Sequence, residues 1–150
     1  EDVTVIKEVW ERERLLSEYR RHDCFVSASL GEGLGLPVAE AIMSGLPVCT
    51  NFWGGHESLL GEGCFVRMAH EEILQPFSSD PKFFATGQKC AFSPPEQIKD
   101  ALLGFLALRP GERQSMTASA RKFLCERYGS PQAGQRILDR IKAIEGTYGA

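Results

Sequence analysis

Two glutamates flank a glycine-rich turn. Glu32 lies within Leu30–Leu36 (LGEGLGL) and Glu40 within the following Pro37–Ser44 (PVAEAIMS), eight positions further on. Carboxylates accept hydrogen bonds from hydroxyl groups, and such charge-assisted bonds are the stronger kind. Gly31, Gly33 and Gly35 let the backbone turn sharply and come close to a ligand. A helix starting near Pro37 leaves its first N–H groups unpaired at the positive end of its dipole, a natural place for a diphosphate. Two acceptors flanking such an amide cluster match a molecule with hydroxyls on both sides of a phosphate. A nucleotide sugar is such a molecule, with ribose hydroxyls on one carboxylate and sugar hydroxyls on the other. A plainer alternative stands beside this: a tight turn, a solvated Glu32, and a Glu40 that merely complements the helix dipole.

The helix itself narrows the choice. At about 100° per residue, Val38, Ala41, Ile42 and Gly45 share one direction, and Ala39 and Met43 widen the apolar arc. Only Glu40 and Ser44 remain as a thin polar stripe, where a solvated face would hold several charges. The Glu40 side chain leans toward the helix start, so it is expected to reach the same pocket as the loop.

These residues need a scaffold, and the order of elements supplies one. Asp2–Val9 alternates apolar residues and reads as a strand; Glu11–His22 carries Leu15, Leu16 and Tyr19 at helical spacing. Asp23–Ser29 reads as a buried parallel strand, Leu46–Asn51 and Gly63–Met68 as two more, with helices at Pro37–Ser44 and His56–Leu60 between them. That alternation predicts an α/β, Rossmann-like, doubly wound parallel sheet, and ligands in such sheets bind beyond the strands' carboxyl ends. Residues 69–91 break the rhythm and read as an inserted loop within a single domain spanning 1–150. Three helices, Glu96–Leu108, Glu112–Tyr128 and Gln132–Glu145, close the chain.

Composition bounds the rest. The 150 residues are 43% hydrophobic and 25% charged, ordinary for a globular domain, and a net charge of −3 gives no reason to expect nucleic acid as a partner. No apolar run approaches a membrane span. Cys24, Cys49, Cys64, Cys90 and Cys125 form no C-x-x-C pair, so buried free thiols and a cytoplasmic setting are expected, with neither disulfides nor zinc. No D-x-D pair is present for Mg²⁺ or Mn²⁺, and no cofactor is implied. The chain starts at Glu1 without an initiator Met, so a fragment of something longer is expected.

The stretch Asp23–Val48 closely resembles the E-x7-E signature of glycosyltransferase family 4 (group 1). Gly54-Gly55 with Glu57 resembles that family's next loop, and residues 92–128 resemble its closing helices. The resemblance implies the C-terminal donor-binding domain of a GT-B fold and retaining, metal-independent transfer of a hexosyl group, with a role in polysaccharide biosynthesis. Glu32 then resembles the glutamate that contacts sugar hydroxyls beside the reacting carbon. Glu40 resembles the one that binds ribose, and the backbone of Gly33, Leu34, Gly35 and Leu36 the strip that meets the sugar and distal phosphate. Ala28 departs from the family by replacing a Pro, and Lys7 by standing where a Gly is usual in the base-contacting strip near Ile6–Val9. The family's basic pair on the domain's first turn, and a His in its other domain, are not in this sequence.

Implied partners are the nucleotide-sugar donor, a saccharide or lipid-linked acceptor, and a missing N-terminal domain. The parent protein is expected in the cytoplasm, with membrane association as the alternative, and the isolated fragment is expected to be inactive and prone to self-association. A sugar-nucleotide epimerase of the same fold and a non-catalytic nucleotide-sugar-binding module remain as alternatives. Among the other residues, His56 reads as a surface polar residue at a helix start, with phosphate contact as its alternative, and Glu57 as a first-turn Glu. Trp10 and Trp53 read as packing, with stacking on a base or sugar as the alternative, and His22 and His70 as exposed. Ile137, Leu138, Ile141 and Ile144 read as a core stripe, part of it interface.

Overall fold

A computed structural model describes residues 3–75 and 87–148. Its element order is α1 (Arg12–Arg21), β1 (Phe25–Ser27), α2 (Leu36–Met43), β2 (Val48–Asn51), α3 (Gly55–Leu59) and β3 (Val66–Met68). Then come β4 (Glu71–Leu74), β5 (Lys89–Phe92), α4 (Pro95–Ala107), α5 (Pro110–Tyr128) and α6 (Ser130–Tyr148). The first three strands form a parallel sheet in the order β1-β2-β3, pairing Phe25 with Val48 and Cys49 with Val66.

The central strand shows why helices must cover both faces. All four residues of β2 are buried, and successive strand side chains point to opposite sides. Val48 joins a core made by Val38, Ala41 and Ile42 of α2 with Leu59, Leu60, Ala120 and Leu124. Cys49 joins a second one with Met68 and Ala101 of α4. The result is the expected mixed α/β, Rossmann-like architecture, a parallel sheet between two helical layers. The cysteines are free: Cys49, Cys64 and Cys90 are buried and Cys125 is exposed. Burial pushes the Cys24 thiol up to about 12 and the Cys49 thiol to about 11, so both stay protonated and pack as small hydrophobes.

Three expectations change. The segment read as a first strand forms none: residues 3–9 take no regular secondary structure, with Val3 82% and Val9 102% exposed. Alternation selects a face, but a strand also needs a neighbour to pair its backbone, and this segment has no ladder partner among the described residues. Residues 69–91 are not simply loop, because β4 and β5 pair antiparallel, Glu72 opposite Ala91 and Leu74 opposite Lys89. Two acidic residues in EEIL and the long gap to KCAF hid the pairing; residues 76–86, with Pro76 and Pro81, lie outside the described residues. The stripe on α6 is not core: Ile137, Leu138, Ile141 and Ile144 are 60, 52, 46 and 43% exposed. Periodicity marks an apolar face without saying what covers it. No helix among the described residues is long and apolar enough to cross a membrane.

Candidate functional site

The turn after β1 is held by its carbonyls. Thr50 Oγ1 donates to the Ser27 carbonyl and Asn51 Nδ2 to that of Ser29, both at 2.8 Å. The Ala91 amide donates to the Leu30 carbonyl and the Gly55 amide to that of Glu32, also at 2.8 Å. β2, β5 and the start of α3 thus fix the loop from behind. Gly35 then takes the left-handed conformation (φ 85°) as N-cap of α2, and no side chain caps that helix. Leu36 and Pro37 open it, so the orphan amides of the first turn remain available, apart from Pro37, which has none. Glu40 sits too deep in the helix for a capping box.

Glycine is required where the two turns touch. A Cβ on Gly55 would lie 2.6 Å from the Leu34 Cα, and one on Gly35 would lie 2.7 Å from His56 Cδ2. Gly31 and Gly33 have open space instead, facing no protein atom within 4 Å.

His56 corrects the reading as a surface residue, for it is only 1% exposed. Its Nδ1 lies 3.1 Å from the Asn51 carbonyl and 3.3 Å from Thr50 Oγ1, whose own hydrogen goes to Ser27. Acceptors on that side put the proton on Nδ1. Nε2 is buried without a partner, beside Gly35. The histidine therefore ties the end of β2 to the start of α2 from within. Its spacing to Leu59 and Leu60 was the signal in the sequence, since those three positions share one helical face.

Glu32 is half-buried and lines a polar cleft of about 430 Å³ with Gly31, Gly33, Gln88 and Lys89. Glu40 is also half-buried but lines a different cleft, about 300 Å³, with Arg12, Leu16 and Arg20 of α1, Leu36 and Ser44. The Tyr19 hydroxyl feels the same carboxylate: burial raises its pKa, and the Glu40 charge adds to the rise. The two glutamates are therefore not lining one pocket; Glu40 shares its cleft with Leu36 but not with Glu32. The side chains of Leu34 and Leu36 face an apolar groove of about 270 Å³ with Met43, Leu59, Leu124 and Tyr128. Of the remaining residues, Glu57 is exposed in the first turn of α3. Trp53 meets His70 edge-on at 5.7 Å, so His70 is partly covered rather than free, while His22 is exposed. Trp10 lies under the Arg14 guanidinium. Among the described residues no three His, Cys, Asp or Glu gather as metal ligands would.

Fold and site together define a Rossmann-like α/β domain with a glycine-rich loop and an uncapped helix start at the carboxyl end of its first strand. The profile of the glycosyl transferases group 1 matches residues 1–85, more than half of the 150 residues and the whole of the loop, α2 and both glutamates. The chain belongs to that family. A search of characterised proteins finds no match.

Proposed function

We propose that this chain is the donor-binding domain of a retaining, GT-B-type glycosyltransferase of family 4, acting as part of a larger protein. It binds a nucleotide-diphosphate sugar and passes the hexosyl group to a saccharide or lipid-linked hydroxyl. Glu32 holds sugar hydroxyls next to the anomeric carbon. The open amides at the start of α2, with the backbone of Gly33–Leu36, take the charge that grows on the departing diphosphate. Glu40 holds the ribose. The two separate clefts suit this division, since one ligand lying over the helix start meets the two carboxylates with different ends.

The observation that carries the reading is the loop itself: Gly35 as a left-handed N-cap, no capping side chain, and Glu32 on the rim of a polar cleft. The metal-independent reading rests on the lack of a D-x-D pair in these 150 residues. The test uses the full-length protein with a panel of UDP-, GDP- and ADP-linked sugars. We expect one base to give thermal stabilisation, and transfer to keep the anomeric configuration and to survive a chelator. Absence of stabilisation by every nucleotide sugar and nucleoside diphosphate overturns the donor reading. Inverted product or Mn²⁺-restored activity overturns retention or metal-independence alone.

A further inference from the structure

The cleft beside Glu32 has a second wall that the E-x7-E pattern does not supply. Leu30, Gly31 and Glu32 form one side; Gln88 and Lys89, from the end of the β4–β5 hairpin, face it across a volume of about 430 Å³. That size is within the range of small-molecule sites. The hairpin is tied to the loop rather than hanging beside it. Its Ala91 amide donates to the Leu30 carbonyl at 2.8 Å, and within the hairpin the Gln75 amide donates to the Gln88 carbonyl at 2.8 Å. His70, directly before β4, packs against Trp53 in the loop that follows β2.

The chemistry of the two walls is complementary. Glu32 offers acceptors only, Lys89 donors only, and the Gln88 amide both. Hydroxyl groups donate and accept, so such a cleft is suited to a polyol. Charge narrows the choice further. Lys89 is paired with Glu72 at 2.9 Å, which balances the hairpin wall. Among the described residues no cation pairs with Glu32. An acidic sugar would bring a second carboxylate against an uncompensated one, which is unfavourable in a half-enclosed cleft.

We propose that the β4–β5 hairpin is the selectivity wall of the donor pocket, with Gln88 and Lys89 contacting the hydroxyls of a neutral hexosyl group held on its other side by Glu32. This rests on the donor reading above.

The test is binding calorimetry on the full-length protein, which requires no knowledge of the acceptor. The probes are UDP-, GDP- and ADP-linked neutral hexoses, UDP-glucuronate, and the bare nucleoside diphosphates. Wild type should bind a neutral donor more tightly than the glucuronate by about 10-fold or more. Gln88→Ala and Lys89→Ala should each weaken the best neutral donor by about 10-fold and change the ranking among hexoses. Affinity for the bare diphosphate and the Tm should stay as in wild type, which a merely structural role would not allow. Lys99→Ala on α4, which does not line the cleft, serves as the unchanged control. Normal donor binding with both hairpin variants indistinguishable from wild type, or preference for the glucuronate, overturns the hairpin proposal and leaves the donor reading standing. If wild type binds none of the probes, both fall.

Discussion

Glu32 and Glu40 sit in different clefts, and that difference sets what each substitution should do. On the proposed mechanism, Glu32 touches the end of the donor where positive charge builds, so its contacts tighten in the transition state. Glu32→Gln in the full-length protein should lower kcat by roughly 10²-fold, as for loss of a transition-state electrostatic contact. Glu40 holds the ribose alike in ground and transition states. Glu40→Gln should mainly raise the donor KM, by about 10-fold for one charge-assisted hydrogen bond. Bare nucleoside diphosphate lacks the sugar, so it should bind the Glu32 variant normally and the Glu40 variant poorly. Wild-type binding by both variants would falsify the assignment. The proximity of Tyr19 to Glu40 adds a control: Tyr19→Phe keeps the packing and should leave kcat alone.

At the scale of elements, the loop depends on two glycines of the several in the sequence, and the structure says which. Gly35→Ala forces a left-handed alanine and a Cβ against buried His56, so it should cost about 2 kcal/mol or more of stability in urea unfolding. Gly31→Ala meets open space at an ordinary φ and should fall within about 0.5 kcal/mol of wild type. Equal losses at the two positions would mean that the nested turns do not hold the loop as described. The sequence alone could not rank these glycines, because the close approach comes from α3, some twenty residues away. What it made legible was local. Patterning in Asp23–Ser29, Pro37–Ser44 and Leu46–Asn51 located two strands and a helix, and the glutamate pair located the loop. Burial of His56 and pairing of β4 with β5 depend on contacts between distant segments, and so they escaped a reading by period and propensity. The separation of Glu32 and Glu40 into two clefts escaped for the same reason, since α1 and the hairpin decide it.

At the scale of the whole molecule, α6 carries the largest question, because its apolar stripe is left exposed by the described residues. The steps from Ile137 to Ile141 to Ile144 are four and three residues, the spacing of a coiled-coil seam, and Leu138 widens it. Arg140 and Glu145 flank the seam on its two sides with opposite charges, so a second copy of the helix would find complementary neighbours. We therefore expect the 150-residue chain to self-associate through α6. The association should be weak: a stable interface buries about 1,600 Å² in total, more than four such side chains provide. Sedimentation should show a monomer at low concentration and a dimer or larger species at high concentration. Ile141→Glu puts a charge in the seam and should keep the chain monomeric without lowering its Tm, since Ile141 is already 46% exposed. If the opposing domain of the proposed GT-B fold covers this stripe in the full-length protein, the same substitution lowers Tm there and leaves the oligomeric state unchanged. A 150-residue chain that stays monomeric at every concentration, or a dimer that Ile141→Glu does not disturb, removes α6 as the contact.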